Sequence, residues 1–153
     1  MSDGRTHFIA NIAAGSAMTL LAAWYAPAAV APVAVGATIA TFVTPDADID
    51  HTTHPEDVLR RIPVVGYAFQ VIWFPYALAM PHRGTSHHWL FGTAGRVGYT
   101  ALLTLFAVWL AQHVGLSLDA LREIAERWTW AHVALLVGAW WVQDMTHLAL
   151  DKV

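Results

Sequence analysis

The sequence predicts an all-α, polytopic membrane bundle: four crossing helices, a re-entrant or interfacial segment and a short amphipathic helix, all in one domain spanning 1–153. Three observations lead there. Of 153 residues, 57% are hydrophobic and only 12% charged, which is too apolar for a soluble domain of this length. Apolar runs of membrane-spanning length recur along the chain. The residues able to bind metal are confined to short polar blocks between and beside those runs.

The first run, Phe8 to Ala26, is long enough for a helix to cross roughly 30 Å of hydrocarbon. It ends on the aromatic pair Trp24-Tyr25, an interface anchor. A charged start at Arg5 ahead of apolar residues resembles a signal peptide, but the segment carries His7 and is read as a retained span. Pro27 can open a second helix at its first turn, and that run stops at Thr44-Pro45. The resulting hairpin returns Asp46 to the side on which His7 lies.

Residues 46 to 61 read as a polar loop. Ile62 to Met80 is apolar but carries Gly66 and Pro75, with Trp73, Phe74 and Tyr76 clustered there, so a re-entrant or interfacial segment with a broken backbone is expected. Trp89 to Val114 is the third crossing, with Gly92, Gly95 and Gly98 permitting close helix contact. Ser117 to Arg127 reads as an amphipathic helix at the far surface. Trp128 to Leu150 crosses back and brings Asp144, His147 and Asp151 to the near side. Arg5, Arg60, Arg61, Arg83 and Lys152 lie on that near side, against Arg122 and Arg127 on the far side, so the N-terminus and the polar blocks are expected to face the cytoplasm across a bacterial inner membrane.

Composition narrows the chemistry. Cysteine is absent, so a tight metal site must be built from imidazole and carboxylate, and nine histidines are present. A formal net charge of -3 without a basic run gives no nucleic-acid surface. Four blocks hold the metal-capable residues: His7; Asp46, Asp48, Asp50 and His51; His82, His87 and His88; and Asp144, His147 and Asp151. The last block is spaced i, i+3, i+7, which places it on one helical stripe. Ionisable groups beside hydrocarbon are costly and usually face a bundle interior, a partner or a cavity.

Asp46-Ala-Asp48-Ile-Asp50 also has the D-x-D-x-D opening of a calcium loop, with Asp57 at the twelfth position. His51 stands where that loop needs glycine, and Pro55 interrupts it, so the carboxylates are expected to turn toward the histidines instead. Arg83 offers a planar cationic fork for a phosphate or carboxylate, or an anchor for lipid headgroups. Asn11, one turn beyond His7, can orient a ligand. Arg96 either snorkels to the near surface or pairs with a buried acid such as Asp144. His54, His113 and His132 are assigned packing or interface roles.

Four motifs in order resemble the bacterial membrane-bound metal-dependent hydrolase-like proteins and the closely similar uncharacterised metal-binding proteins. They are Gly4-Arg5-Thr6-His7, Pro45-Asp46-Ala47-Asp48, Pro81-His82-Arg83-Gly84 with Ser86-His87, and Asp144-Met145-Thr146-His147 ending in Asp151. The resemblance covers nearly the whole chain and implies a helical, membrane-embedded protein, distantly similar to zinc-dependent phospholipases C. His88 and Ser86 depart from the pattern, which has a small residue and a threonine at those places.

Together these features predict one or two divalent ions, zinc first and iron or manganese as alternatives, held by His7, Asp46, Asp48, His82, His87, Asp144, His147 and Asp151. The leading expectation is a metal-dependent hydrolase acting on a phosphoester, a lipid among the options, at the cytoplasmic face. In it the ion activates water, Arg83 stabilises phosphoryl charge and Asp48 or Asp50 takes the proton. The alternative is a non-catalytic metal-binding membrane protein, either a structural site or a metal-handling subunit. Membrane lipids and an amphipathic phosphate are the expected partners, with oligomerisation open. A channel fits less well, because the polar groups gather at one end.

Overall fold

The computed structural model describes residues 4–48, 54–80 and 84–151, and every regular element among them is helical. Helix α1 (Gly4–Tyr25) runs without a break until Pro27, whose ring forces Ala26 out of helical conformation. A 3-10 turn (Pro27–Ala29) leads into α2 (Val30–Phe42), where Pro32 is tolerated within the first turn. After α2 come an aspartate-bearing 3-10 turn (Pro45–Asp48), α3 (His54–Leu59) and α4 (Pro63–Ala79). A second 3-10 turn (Thr85–His87) precedes α5 (Phe91–His113), α6 (Asp119–Arg127) and α7 (Trp130–Leu150).

Helices α1, α2 and α7 form the packed core. Small residues let their backbones approach, as in helix pairs that lack a hydrophobic driving force in lipid. A Cβ on Gly36 would overlap the carbonyl of Leu136, and one on Gly15 would overlap the side-chain amide of Gln143. Ala29, Val33 and Ala139 fill one end of this interface, while Ala40, Val43 and Trp140 join Trp73 and Tyr76 of α4 at the other. The aromatic wall continues to Tyr99, 5.2 Å from the Trp73 ring.

Three helices, α1, α5 and α7, are long and apolar enough to cross a membrane. The expected second crossing is helical over Pro27–Phe42, nearly its expected extent, but falls short of that length. The expected backbone breaks in the next segment do not occur either. Pro75 lies inside a continuous α4, and the Tyr99 hydroxyl donates to the Ile72 carbonyl at 2.5 Å. A proline in a helix crowds and frees carbonyls in the preceding turn, and an outside donor there relieves the cost. Gly66 sits under Arg60, where a side chain would collide with the arginine backbone.

Helix α5 meets α7 through its first turns and then stands apart, with Leu102, Leu105, Phe106 and Trp109 exposed. It ends in a Schellman closure at Gly115, φ +73°, where the Leu116 amide donates to the Ala111 carbonyl at 2.9 Å and the Gly115 amide to Gln112 at 3.2 Å. Helix α6 is amphipathic as expected, with i,i+4 pairs Arg122–Glu126 and Glu123–Arg127 on its polar side and Leu121 and Ile124 exposed on the other. Thr129 and His132 cap α7 reciprocally, which accounts for that histidine.

Replacing Gly36 by valine forces a branched side chain against backbone that cannot yield, so a loss of about 1–3 kcal/mol is expected on thermal or denaturant unfolding in detergent. Gly98 has open space around it, so Gly98→Ala should be neutral or stabilise by up to about 1 kcal/mol. Equal effects of the two substitutions would refute the close α2–α7 contact.

Candidate metal centre

Four separated stretches of chain meet where α1 begins and α7 ends. His7 comes from the first turn of α1, Asp46 from the first 3-10 turn, and His87 from the second. His147 lies in the last turn of α7, and Asp151 directly follows it. On a helix that turns 100° per residue, positions four apart are about 40° apart, so His147 and Asp151 project together.

The Nε2 atoms of all three imidazoles point at the two carboxylates. His87 and His147 approach opposite oxygens of Asp46, at 3.4 and 3.3 Å. Asp151 offers one oxygen to His7 at 3.3 Å and the other to His87 and His147, both at 3.7 Å. The His7 and His147 rings lie 4.2 Å apart, centre to centre. His7, His147 and Asp151 form one group of potential ligands, and Asp46, His87 and His147 form another.

These separations suit a cation better than direct hydrogen bonds. Good N–H···O bonds fall at about 2.7–3.2 Å. Ligands bound tetrahedrally at about 2.0–2.1 Å sit roughly 3.3–3.4 Å from one another, since the edge of a tetrahedron is about 1.6 times its radius. The three shortest contacts match that edge.

Burial is uneven across the group. His7 and His147 are buried in the bundle, whereas Asp46, His87 and Asp151 are partly exposed, so the cluster has a closed floor and an open side. Burial opposes ionisation of Asp46, but the His147 and His87 imidazoles beside it overcome that and hold its carboxyl well below the usual carboxylate range. Asp46 is therefore a carboxylate donor at neutral pH.

A second set of buried groups fixes this arrangement without entering it. The Ser86 hydroxyl donates to the Pro45 carbonyl at 2.9 Å, which ties the two 3-10 turns together and sets His87 beside Asp46. Arg96 donates to the Ser86 carbonyl at 3.1 Å and to Asp144 at 2.6 Å, and Thr93 donates to the same carboxylate oxygen at 2.5 Å. Arg96 and Asp144 are each 1% exposed. Gly92 makes room for the turn, because a Cβ there would overlap the Ser86 carbonyl. His88 turns the other way: its Nδ1 accepts from the amides of Leu90 and Phe91, both at 3.2 Å, and caps α5.

Five of the eight expected ligands thus come together: His7, Asp46, His87, His147 and Asp151. Asp144 does not join them, since its carboxylate is turned to Arg96 and Thr93. The Asp48 side chain, Asp50, His51, His82 and Arg83 lie outside the described residues. Asp57 is exposed on α3 while Asp46 faces imidazoles, an arrangement unlike a calcium loop. His113 bonds its own helix at the Trp109 carbonyl, 2.9 Å away. Sequence reasoning missed Ser86, Thr93 and Gln143 as supports. Their signal was a polar residue inside or beside an apolar run, which is costly unless partnered.

Removing one member of a buried ion pair strands the other. Arg96→Met is expected to destabilise the protein by about 3–5 kcal/mol, with the double variant Arg96→Met/Asp144→Leu recovering much of it. Chemical unfolding of the single and double variants measures this, and additive losses would show that the two side chains do not act as a pair.

No curated protein and no solved structure matches this chain. Residues 2–153 match a family model described as an uncharacterized metal-binding protein (DUF2227). The match supports the metal-binding half of the resemblance and lends nothing to the likeness with hydrolases or phospholipases C. It spans all four segments that deliver the clustered histidines and aspartates, and the chain belongs to this family of metal-binding proteins.

Proposed function

We propose that the protein is a membrane-embedded metal-binding protein in which His7, Asp46, His87, His147 and Asp151 hold a single divalent cation that fastens the ends of its helices together. The observation that carries this reading is the convergence of three Nε2 atoms and two carboxylates from four distant segments at ligand-to-ligand spacing. His147 belongs to both groups of potential ligands and presents Nε2 to both carboxylates. One imidazole nitrogen has one lone pair, so the two groups describe one ion rather than two.

Zinc suits the mixed nitrogen and oxygen donors, with iron and manganese as the alternatives. The membrane setting rests on the three long apolar helices and their exposed hydrophobic faces, and the excess of arginine near the metal end favours a cytoplasmic orientation in an inner membrane.

One observation favours the catalytic alternative. The partly exposed side at Asp46, His87 and Asp151 would admit a substrate, and a phosphoester hydrolase needs such an opening. Of the residues expected to serve it, Arg83, Asp50 and the Asp48 side chain lie outside the described residues.

Metal analysis of protein purified without nickel is expected to give one ion per chain, lost in His147→Ala. Added zinc at a hundred times its dissociation constant should stabilise the protein by about 2.7 kcal/mol. A panel of phosphodiester and phospholipid substrates should show no turnover. Turnover abolished by Asp46→Ala would replace the structural reading with the hydrolase, and a metal-free, metal-indifferent protein would overturn both.

A further inference from the structure

Beneath the cluster lies a polar layer that ligation does not use. Asn11 is one turn deeper than His7 on α1, and Gln143 one turn deeper than His147 on α7. The two helices touch here, since the Gln143 amide donates to the Asn11 backbone carbonyl at 2.7 Å. Asn11 is 1% exposed and Gln143 0%. Among the described residues, four buried atoms of this layer make no hydrogen bond: Asn11 Nδ2, Asn11 Oδ1, Gln143 Oε1 and His147 Nδ1.

Leaving such atoms unpaired costs about 1–3 kcal/mol each. Their chemistry balances. His147 turns Nε2 toward Asp46 and Asp151, so the neutral imidazole that ligates through Nε2 carries its proton on Nδ1. That leaves two donors, His147 Nδ1 and Asn11 Nδ2, and two acceptors, Asn11 Oδ1 and Gln143 Oε1. Ligating histidines usually donate their second N–H to an outer partner, which fixes ring and tautomer.

We infer that Asn11 is a positioning residue for the metal: its carboxamide, braced by Gln143, accepts the Nδ1 proton of His147 and so fixes the tautomer that presents Nε2 to the cation. The inference rests on the metal-binding reading above. Rotation of the buried Asn11 side chain would close the relay, with Asn11 Nδ2 donating to Gln143 Oε1. Helix stripes enforce the placement, because His7, Asn11 and Gly15 share the buried face of α1 that meets α7.

The test uses the full chain in detergent, with zinc affinity measured against a chromophoric chelator and 15N-histidine NMR of the zinc-loaded protein. Asn11→Leu should weaken zinc roughly 10- to 100-fold, whereas Asn11→Asp, which keeps the acceptor, should bind at least as tightly as the parent. The parent's His147 should show a protonated, slowly exchanging Nδ1 that loses its protection in Asn11→Leu. Should Asn11→Leu fail to fold, the parent spectrum decides, and a His147 protonated on Nε2 overturns the inference. Unchanged affinity in Asn11→Leu alongside normal zinc binding by the parent sinks this inference alone. No zinc binding by the parent sinks the metal reading as well.

Discussion

The buried Arg96–Asp144 pair is the constraint on which the arrangement of the candidate site depends. Each partner reaches a different part of the site. Asp144 is one turn from His147 on α7, and Arg96 extends from α5 to the Ser86 carbonyl, one residue from His87. Ser86 in turn holds Pro45, one residue from Asp46. A short 3-10 turn has too few internal hydrogen bonds to fix its own position, so these side chains supply what the backbone lacks. Such pairs add little net stability because desolvation offsets attraction, while specifying one docking against others.

Apolar packing could not do this alone. The interface of α1, α2 and α7 is built from alanine, glycine and valine, which set how closely helices approach but discriminate weakly between registers. A slip of one turn along α7 would separate Asp144 from Arg96. The polar groups therefore fix the register, and the small residues let the backbones come close enough for it to matter.

Much of this was legible in the sequence, and the exceptions have physical causes. The ends of α1, α5, α6 and α7 follow from proline, glycine and hydropathy, and the gathering of His7, Asp46, His87, His147 and Asp151 at one end of the bundle follows from an up-and-down path. The spacing of Asp144, His147 and Asp151 marked one stripe correctly, yet a stripe runs the length of a helix. Asp144 and Asp151 lie about 20° apart around α7 but about 10 Å apart along it, so Asp144 is at the depth of Arg96 and Asp151 at the helix end. Only the location of the partner cation, Arg96, separates the two carboxylates. For α4, Pro75 signalled a break that the Tyr99 hydroxyl offsets from another helix, a contact no local pattern reveals. His87 and His88 are adjacent and chemically alike, and the geometry of a single 3-10 turn sends one to the cluster and the other to cap α5.

Charge balance gives the cluster its chemical character. Two carboxylates against three neutral imidazoles carry two negative charges at the edge of an apolar bundle, where uncompensated charge is costly. Protons on the imidazoles can compensate, and the lowered Asp46 carboxyl keeps its ionised form beside His147 and His87. A divalent ion achieves the same neutrality in one step, displacing protons from nitrogens already spaced for it. Metal and protons would therefore compete for the same five side chains, and either would hold together four separated stretches of chain. A site of this kind is inseparable from the fold that builds it, because the groups that would bind the ion are also the groups whose mutual repulsion it would relieve.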